Sequence, residues 1–332
     1  MHLEAFTPDA PRYADFRAFA DHLYEGDPFW SPPDDPPAAL DPYCFLLYDH
    51  GRIAARACVT RRPPGGGGDD DVTATCGWYE CVDDERAAIA LLDGVRAHAR
   101  ARGFERIVGP LNGSTWHRYR FADPSATPPF FLDVHNKPWY VAHWIAAGME
   151  EIAHYHSTSF EDLAPYDGGE ATAARIGAHG ITLREMRLDR FEEELRTIHA
   201  LSTIGFRDNA LYTPIDVDAF VDLYRPLRPL VRPELVLIAE RDEGEPAGFV
   251  FAIDNVYERR WTSLVMKSAA VVPEVRGLGL GHHLLETVHR TARDRKYDQV
   301  IHALMIRGNR SAAILAERSA PYRTYRLFGC GL

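Results

Sequence analysis

The chain has 332 residues, a length that predicts about two domains at roughly 150 residues each. Hydrophobic residues make up 46% and charged residues 26%, a globular balance that excludes a wholly disordered chain. Asp and Glu number 48 against 37 Lys and Arg, giving a formal charge of −11, which argues against sequence-independent binding of nucleic acid. Lysine occurs only at Lys137, Lys267 and Lys296; the remaining bases are arginine. No run of about 18 apolar residues is present, so no membrane span is expected. The amino-terminal stretch lacks the basic start and apolar core of a signal peptide, and the five cysteines include no CxxC pair. A reduced, cytoplasmic protein without a metal site is the resulting expectation.

In chain order, 43–48 and 53–60 are apolar runs separated by Asp49-His50-Gly51, a hairpin signal. The glycine run at 65–68 is a polar loop tip and not a phosphate cradle, since no Lys-Ser/Thr follows. A strand is predicted at 72–82 and a helix at 84–102, with Ile89, Leu92, Val95 and Ala99 on one face and Gly103 as its stop. A short strand at 106–108, a helix at 138–147 and a strand at 150–160 complete the first half. Pro, Gly and acids at 160–180 mark a linker region. In the second half, strands are predicted at 181–186, 235–240, 247–253, 263–272, 299–306 and 325–328, and helices at 191–204, 217–224, 281–296 and 311–318. Both halves share the order hairpin, then strand–helix–strand–helix–strand. That pattern divides the chain into 1–160, the linker 161–180, and 181–332, each half an α/β or α+β mixed sheet.

The most informative passage is 267–297. An apolar strand ends at Val272-Pro273, Arg276-Gly277-Leu278-Gly279-Leu280-Gly281 turns the chain, and an amphipathic helix begins with Leu284, Leu285, Val288 and Ala292 on its apolar face. Glycines at 277, 279 and 281 permit positive φ and remove side chains where an anion would touch the backbone. Helix N-terminal amides, with the helix dipole behind them, then converge on one point, so this is a phosphate or pyrophosphate site. The dinucleotide fingerprint fails in register, because its third glycine position is His282.

This turn resembles the Arg/Gln-x-x-Gly-x-Gly/Ala loop of the GNAT acyltransferase superfamily, placed as there between a strand and a helix. Asn309 and Ala312 stand at the family's Asn-x-x-Ala spacing. The resemblance implies that Val271, Val272, Arg276, Gly277, Leu278, Gly279, Leu280, Gly281, His282, Asn309 and Ala312 hold acetyl-CoA or another acyl-CoA. Phe29-Trp30-Ser31-Pro32-Pro33, Gly109-Pro110-Leu111-Asn112 and Asn136-Lys137-Pro138-Trp139-Tyr140 are similar to segments of bacterial proteins built from two GNAT-like halves. The first half is degenerate: where its loop should lie stands Asp83-Asp84-Glu85-Arg86, with no glycine. Acids there satisfy the helix dipole themselves and repel a pyrophosphate, so one CoA per chain is expected.

The resemblance further implies direct attack of an acceptor amine on the thioester, with a backbone donor at Val271 or Val272 and a general base and acid nearby. The family's tyrosine position, seven residues after the asparagine, is Ala316 here. Tyr322 and Tyr325 are the alternatives for the catalytic acid, set against aromatic packing around the last strand. Asn112, Trp116, Asn136 and Tyr140 in the first half, with Asn209 and Tyr212 in the second, are candidates for binding a small-molecule or amino-acid-like amine at the seam. His154 and His156 share a strand face but lack a third ligand for a metal. The expected function is acyl-CoA-dependent N-acyl transfer by a monomer or homodimer. The alternatives are a non-catalytic acyl-CoA sensor and, disfavoured by the acidic charge, an aminoacyl-tRNA-dependent transferase.

Overall fold

The structure, a computed structural model, describes residues 1–65, 71–166, 168–258, 260, 262–308 and 316–332. The first half runs β1 (His2–Phe6), α1 (Tyr13–Leu23), β2 (Tyr43–Asp49), β3 (Arg52–Arg61), β4 (Thr73–Cys81), α2 (Glu85–Ala101), β5 (Arg106–Gly109), β6 (Phe121–Ala122), α3 (Tyr140–Ala146) and β7 (Glu150–Phe160). The second runs α4 (Gly169–Ala178), β8 (Thr182–Glu185), α5 (Phe191–Phe206), α6 (Val217–Tyr224), β9 (Val236–Glu240), β10 (Pro246–Asp254), β11 (Ser263–Val271), α7 (Leu280–Asp294), β12 (Gln299–Ile306) and β13 (Ala320–Gly331). The hairpins, the crossover helices and the strands flanking them follow the hydrophobic periodicity. Elements absent from the sequence reading are β1, α1, β6 and α4, all short or weakly amphipathic. The helix expected at 311–318 falls mostly outside the described residues, as does the glycine run after Gly65; Ala316–Arg318 form a single 3₁₀ turn.

Each half contains one parallel pair bridged by a helix. In the first, β4 and β5 pair over Thr73↔Arg106 to Thr75↔Val108; in the second, β11 and β12 pair over Ser263↔Gln299 to Met266↔His302. Helix α2 buries Ala88, Leu91, Leu92, Val95 and Ala99 against the first sheet face. Helix α7 does the same in the second half with Leu280, Leu284, Leu285, Val288 and Ala292. The two largest apolar clusters are centred one in each half, and a smaller one joins Ala122 and Tyr155 to Tyr325 and Leu327 between them.

The halves are joined by an exchange of last strands. The sheet order is β1-β2-β3-β4-β5-β13-β7-β12-β11-β10-β9-β8, with β6 paired to β13 off this path. Strand β7, which ends the first half, lies beside β12 of the second. Strand β13, which ends the chain, lies beside β5 of the first half. The two exchanged strands pair with each other from Ala320↔Ser159 to Gly329↔Glu150. The sequence boundary at 160 is therefore a break along the chain and not in space.

This topology predicts that neither half folds by itself, because each would leave an unpaired central strand edge. Fragments 1–164 and 165–332 produced together should co-purify as a one-to-one complex. A fragment 181–332 that alone gives a cooperative unfolding transition as a monomer would contradict the exchange.

Candidate functional site

The glycine turn sits where β11 ends, and its geometry follows from its residues. Gly277 and Gly279 adopt φ of +89° and +88°, a region that L side chains rarely enter. Gly279 is the N-cap residue of α7, and no side chain caps the helix. The first amide of the helix with an internal acceptor is that of His283, which donates to Gly279 O at 3.0 Å. Arg276 N and Leu278 N donate within the turn, to Pro273 O and Val275 O, so the amides of Leu280, Gly281 and His282 are the ones left for an external acceptor. A Cβ at Gly277 or Gly281 would meet no atom within 4 Å, whereas one at Gly279 would lie 2.9 Å from Thr172 and Arg175. Those two residues belong to α4 in the linker region, and Arg175 Nε also donates to Leu278 O at 2.9 Å. The linker is therefore a brace that fixes the turn from behind.

Beyond Met266↔His302 the parallel strands separate, and β12 carries a bulge between His302 and Met305 with Leu304 at φ +62°. Val272 N donates to Ala247 O at 2.9 Å, so Val272 is engaged with the β10 side. By the alternation of antiparallel pairing, Val271, opposite Gly248, and Ala269, opposite Val250, turn their amides toward the opening strand gap. Of the two expected donors only Val271 faces the gap; Val272 does not.

A cavity of about 1420 Å³ occupies this gap and continues to the first half. Val271, Arg276, Gly277, Gly279, Leu280, Gly281 and His282 all line it. Leu278 packs on the core of the second half beside them. Asn309 and Ala312 lie outside the described residues. Arg276 and Arg307 are exposed on the cavity wall, where they offset the acidic chain over about one Debye length of ~8 Å. His282 stands edge-on to Tyr166, with ring centres 5.4 Å apart, and its Nε2 has no hydrogen-bond partner.

Four of the six residues expected around the acceptor reach the cavity: Asn112, Trp116, Asn209 and Tyr212. Trp116 is held by donation from Nε1 to Thr213 O at 2.8 Å and packs edge-on to Tyr212 and Phe220. The other two do not reach it. Asn136 accepts from Ala122 N (2.7 Å) and donates to Ala122 O and Lys137 O, which fixes the β6 loop. Tyr140 is fully buried in the first core, donating to Glu80 (2.6 Å) and accepting from Cys81 N (3.1 Å).

The two tyrosines expected as catalytic acid are also displaced from the cavity wall. Tyr325 has 0% exposure, its hydroxyl bonds Ser157 Oγ at 3.1 Å, and its ring centre lies 5.9 Å from the guanidinium carbon of Arg120, behind the cavity wall. Tyr322 packs against Phe130, with ring centres 6.0 Å apart. Burial and the Asp133 charge push the Tyr325 phenol well above its usual range, so it holds its proton. Asp254, at the end of β10, is engaged by Arg232 (2.6 Å) and Tyr297 (2.5 Å).

The group that sequence reasoning missed is Lys267. It falls at the bulge between β10 and β11, where Phe251 pairs with Ser268 and Ala252 with Met266, leaving Lys267 unmatched. Its Nζ donates to Leu132 O at 2.8 Å, and it lines the cavity just below the strand separation. Burial and the neighbouring Arg120 pull its pKa down to about 7, against the opposing effect of Asp133. A lone lysine inside an apolar strand was the available signal.

The first half closes its equivalent gap. Leu111 N donates to Cys76 O at 2.9 Å, and Asn112 Oδ1 accepts from Trp78 N at 2.8 Å. A Cβ at Gly77 would lie 2.4 Å from Leu111 O, so chain from β5 fills the space that remains open in the second half. Asp84 caps α2 by accepting from Arg86 N at 2.9 Å, and so occupies the amides that an anion would need.

Residues 199–319 match the acetyltransferase (GNAT) family. The chain is 24% identical over 260 residues to Protein YghO of Escherichia coli (strain K12), a stretch covering 73% of this chain and 66% of that protein. It is 26% identical over 187 residues to a bacterial ceramide synthase of Caulobacter vibrioides (strain NA1000 / CB15N), covering 55% and 48% respectively. The matches thus span about half to two thirds of the length of these curated relatives. A tandem GNAT protein from the clavulanic acid biosynthesis pathway superposes with a TM-score of 0.53 at 13% identity, covering 99% of this chain and 98% of that one. In fold the chain is two GNAT-like halves in tandem, and the match to the acetyltransferase (GNAT) family lies within the second of them.

Proposed function

We propose that the protein transfers an acyl group from acyl-CoA, acetyl-CoA or a longer homologue, to the nitrogen of an amine bound between the halves. The observation that carries this reading is the set of uncapped amides at the start of α7, opening into the same cavity as the unpaired Val271 amide. Gly279, Leu280 and Gly281 would hold the pyrophosphate, with Arg276 and Arg307 supplying charge. The Val271 amide is suited to polarise the thioester carbonyl, a donor in place before charge develops. A ceramide is an N-acylated amine, so the name of the Caulobacter relative supports transfer to nitrogen. The cavity, about 1420 Å³, exceeds the ~300–1,000 Å³ of a typical single-ligand site, which suits a donor and an acceptor held together.

Lys267 is the side chain suited to take a proton from the acceptor ammonium, so that the neutral amine can attack the thioester and the CoA thiolate leave. With its pKa near 7 it is largely uncharged above that pH and can accept a proton. The groups facing it are Leu132 O, Arg120 and Asp133.

Two measurements test the reading. Gly281→Asp adds a side chain into open space in the first turn of a helix, where a carboxylate is tolerated. It should leave thermal stability unchanged or higher and weaken CoA binding by about 100-fold in calorimetry, since it places charge on the amide cradle. Unchanged affinity would overturn the assignment. Gly279→Asp is the poorer probe, because positive φ and the contact with Thr172 make it destabilising. In thiol-release assays, kcat/KM should rise with pH through about 7. Lys267→Met should remove that rise and lower kcat by about 10²–10⁴-fold. A folded Lys267→Met protein with the wild-type profile would exclude the lysine.

A further inference from the structure

On the acceptor side of the cavity, one side chain has no task in the acyl transfer described above. Arg120 follows β5 in a loop and is 5% exposed. Its backbone is left-handed, with φ +62°, a conformation uncommon for a residue with a side chain. The guanidinium carbon lies 3.9 Å from the centre of the Tyr119 ring and 4.4 Å from that of Tyr155. Its Nε and Nη1 have no hydrogen-bond partner among the described residues, yet the residue lines the cavity. A guanidinium withdrawn from water without a counter-charge is costly, and the cost is relieved by an anion that meets its planar fork.

Among the described residues, the nearby carboxylate does not meet that need. Asp133, the carboxylate acting on Lys267, forms an ion pair with Arg323 at 3.2 Å and accepts from Val134 N at 2.7 Å. Arg323 is further tied to Thr127 O at 2.9 Å. Arg120 and Lys267 lie close enough for the charge of one to depress the basicity of the other. The cavity wall therefore presents a buried, unmatched guanidinium beside the lysine that faces the attacking nitrogen.

We propose that the acceptor is an amine bearing an anionic group, a carboxylate or a phosphate, which Arg120 binds while the amine faces Lys267. The closeness of the two side chains sets the anion and the amine near each other in the acceptor, as in an amino acid or a short amino-phosphate. The proposal rests on the acyl-transfer reading and adds the class of acceptor to it. The rings of Tyr119 and Tyr155 strengthen the contact by excluding water around it.

The test pairs amines that differ only in the anion: phenylalanine with phenethylamine, leucine with isoamylamine, and phosphoethanolamine with ethanolamine. Each pair is titrated calorimetrically into the full-length protein, with and without saturating CoA, and assayed for thiol release from acetyl-CoA. In at least one pair the anionic member should bind or react 10-fold or more better than its neutral partner, and the favoured pair distinguishes carboxylate from phosphate. Arg120→Gln should bring that ratio to about one with CoA affinity unchanged, and Arg120→Lys should restore part of it. Neutral members that do as well in every pair, or a preference that survives Arg120→Gln, would overturn the proposal. So would a loss in Arg120→Gln confined to succinyl-CoA relative to acetyl-CoA, which would assign the guanidinium to the acyl group. Should Arg120→Gln fail to fold, the wild-type ratios decide alone. Loss of CoA binding in the wild-type protein would instead refute the acyl-transfer reading, separately from the anion site.

Discussion

The separation of β11 from β12 after Met266↔His302 is the constraint on which the site depends. Parallel strands satisfy their backbone groups through evenly spaced bonds, and where the pairing stops, those groups must find other partners. On β10's side the ladder continues and engages Val272. On the other side, Ala269 and Val271 face a cavity. The same strand then runs into a turn whose glycines leave the α7 amides uncapped. Two sets of open donors thus stand along one edge, spaced by the length of a single strand end and turn. Their positions are set by the sheet on one side and by the Thr172–Arg175 brace on the other.

The duplication makes the functional asymmetry readable. Both halves contain a parallel pair that splays and a helix that follows it. In the first half Leu111 and Asn112 fill the splay, and Asp84 takes the helix amides. In that half the strand gap and the helix amides are both filled from within the chain, which favours a supporting role over cofactor binding. Its loops nonetheless furnish Asn112, Trp116 and Arg120 to the cavity of its partner half. The exchange of β7 and β13 keeps this composite wall in register, since the last strand of each half is a structural part of the other.

Charge is distributed to match. The chain as a whole is acidic, but Arg120, Lys267, Arg276 and Arg307 all open on the cavity. Asp34, Asp35, Asp133 and Asp208 line the same cavity, and screening limits the reach of more distant exposed charge to about 8 Å at physiological ionic strength. Within the protein the balance is finer: Asp133 is held by Arg323, and Lys267 is held near neutrality by burial and Arg120.

The amino-acid sequence by itself determined the features that depend on neighbouring residues. The glycine turn at 276–281 was legible because positive φ and missing side chains are local properties, and α2 and α7 were legible because helical periodicity is written within a few turns. The acidic cap at Asp84 belongs to the same class. Only the tertiary structure decided which residues meet across the chain. The β13–β5 and β7–β12 pairings join segments far apart in sequence, and no local pattern encodes a choice between strand partners of similar apolar character. Tyr325 turned out to be fully enclosed with its hydroxyl on Ser157, and Tyr140 to be anchored to Glu80, because which way a side chain faces depends on what packs over it. Lys267 was visible as a charge in an apolar run, but its lowered basicity comes from burial and from Arg120, more than a hundred residues earlier in the chain, against the opposing charge of Asp133. Electrostatic interactions of that kind depend on distance in space and on exclusion of water, and folding alone supplies both.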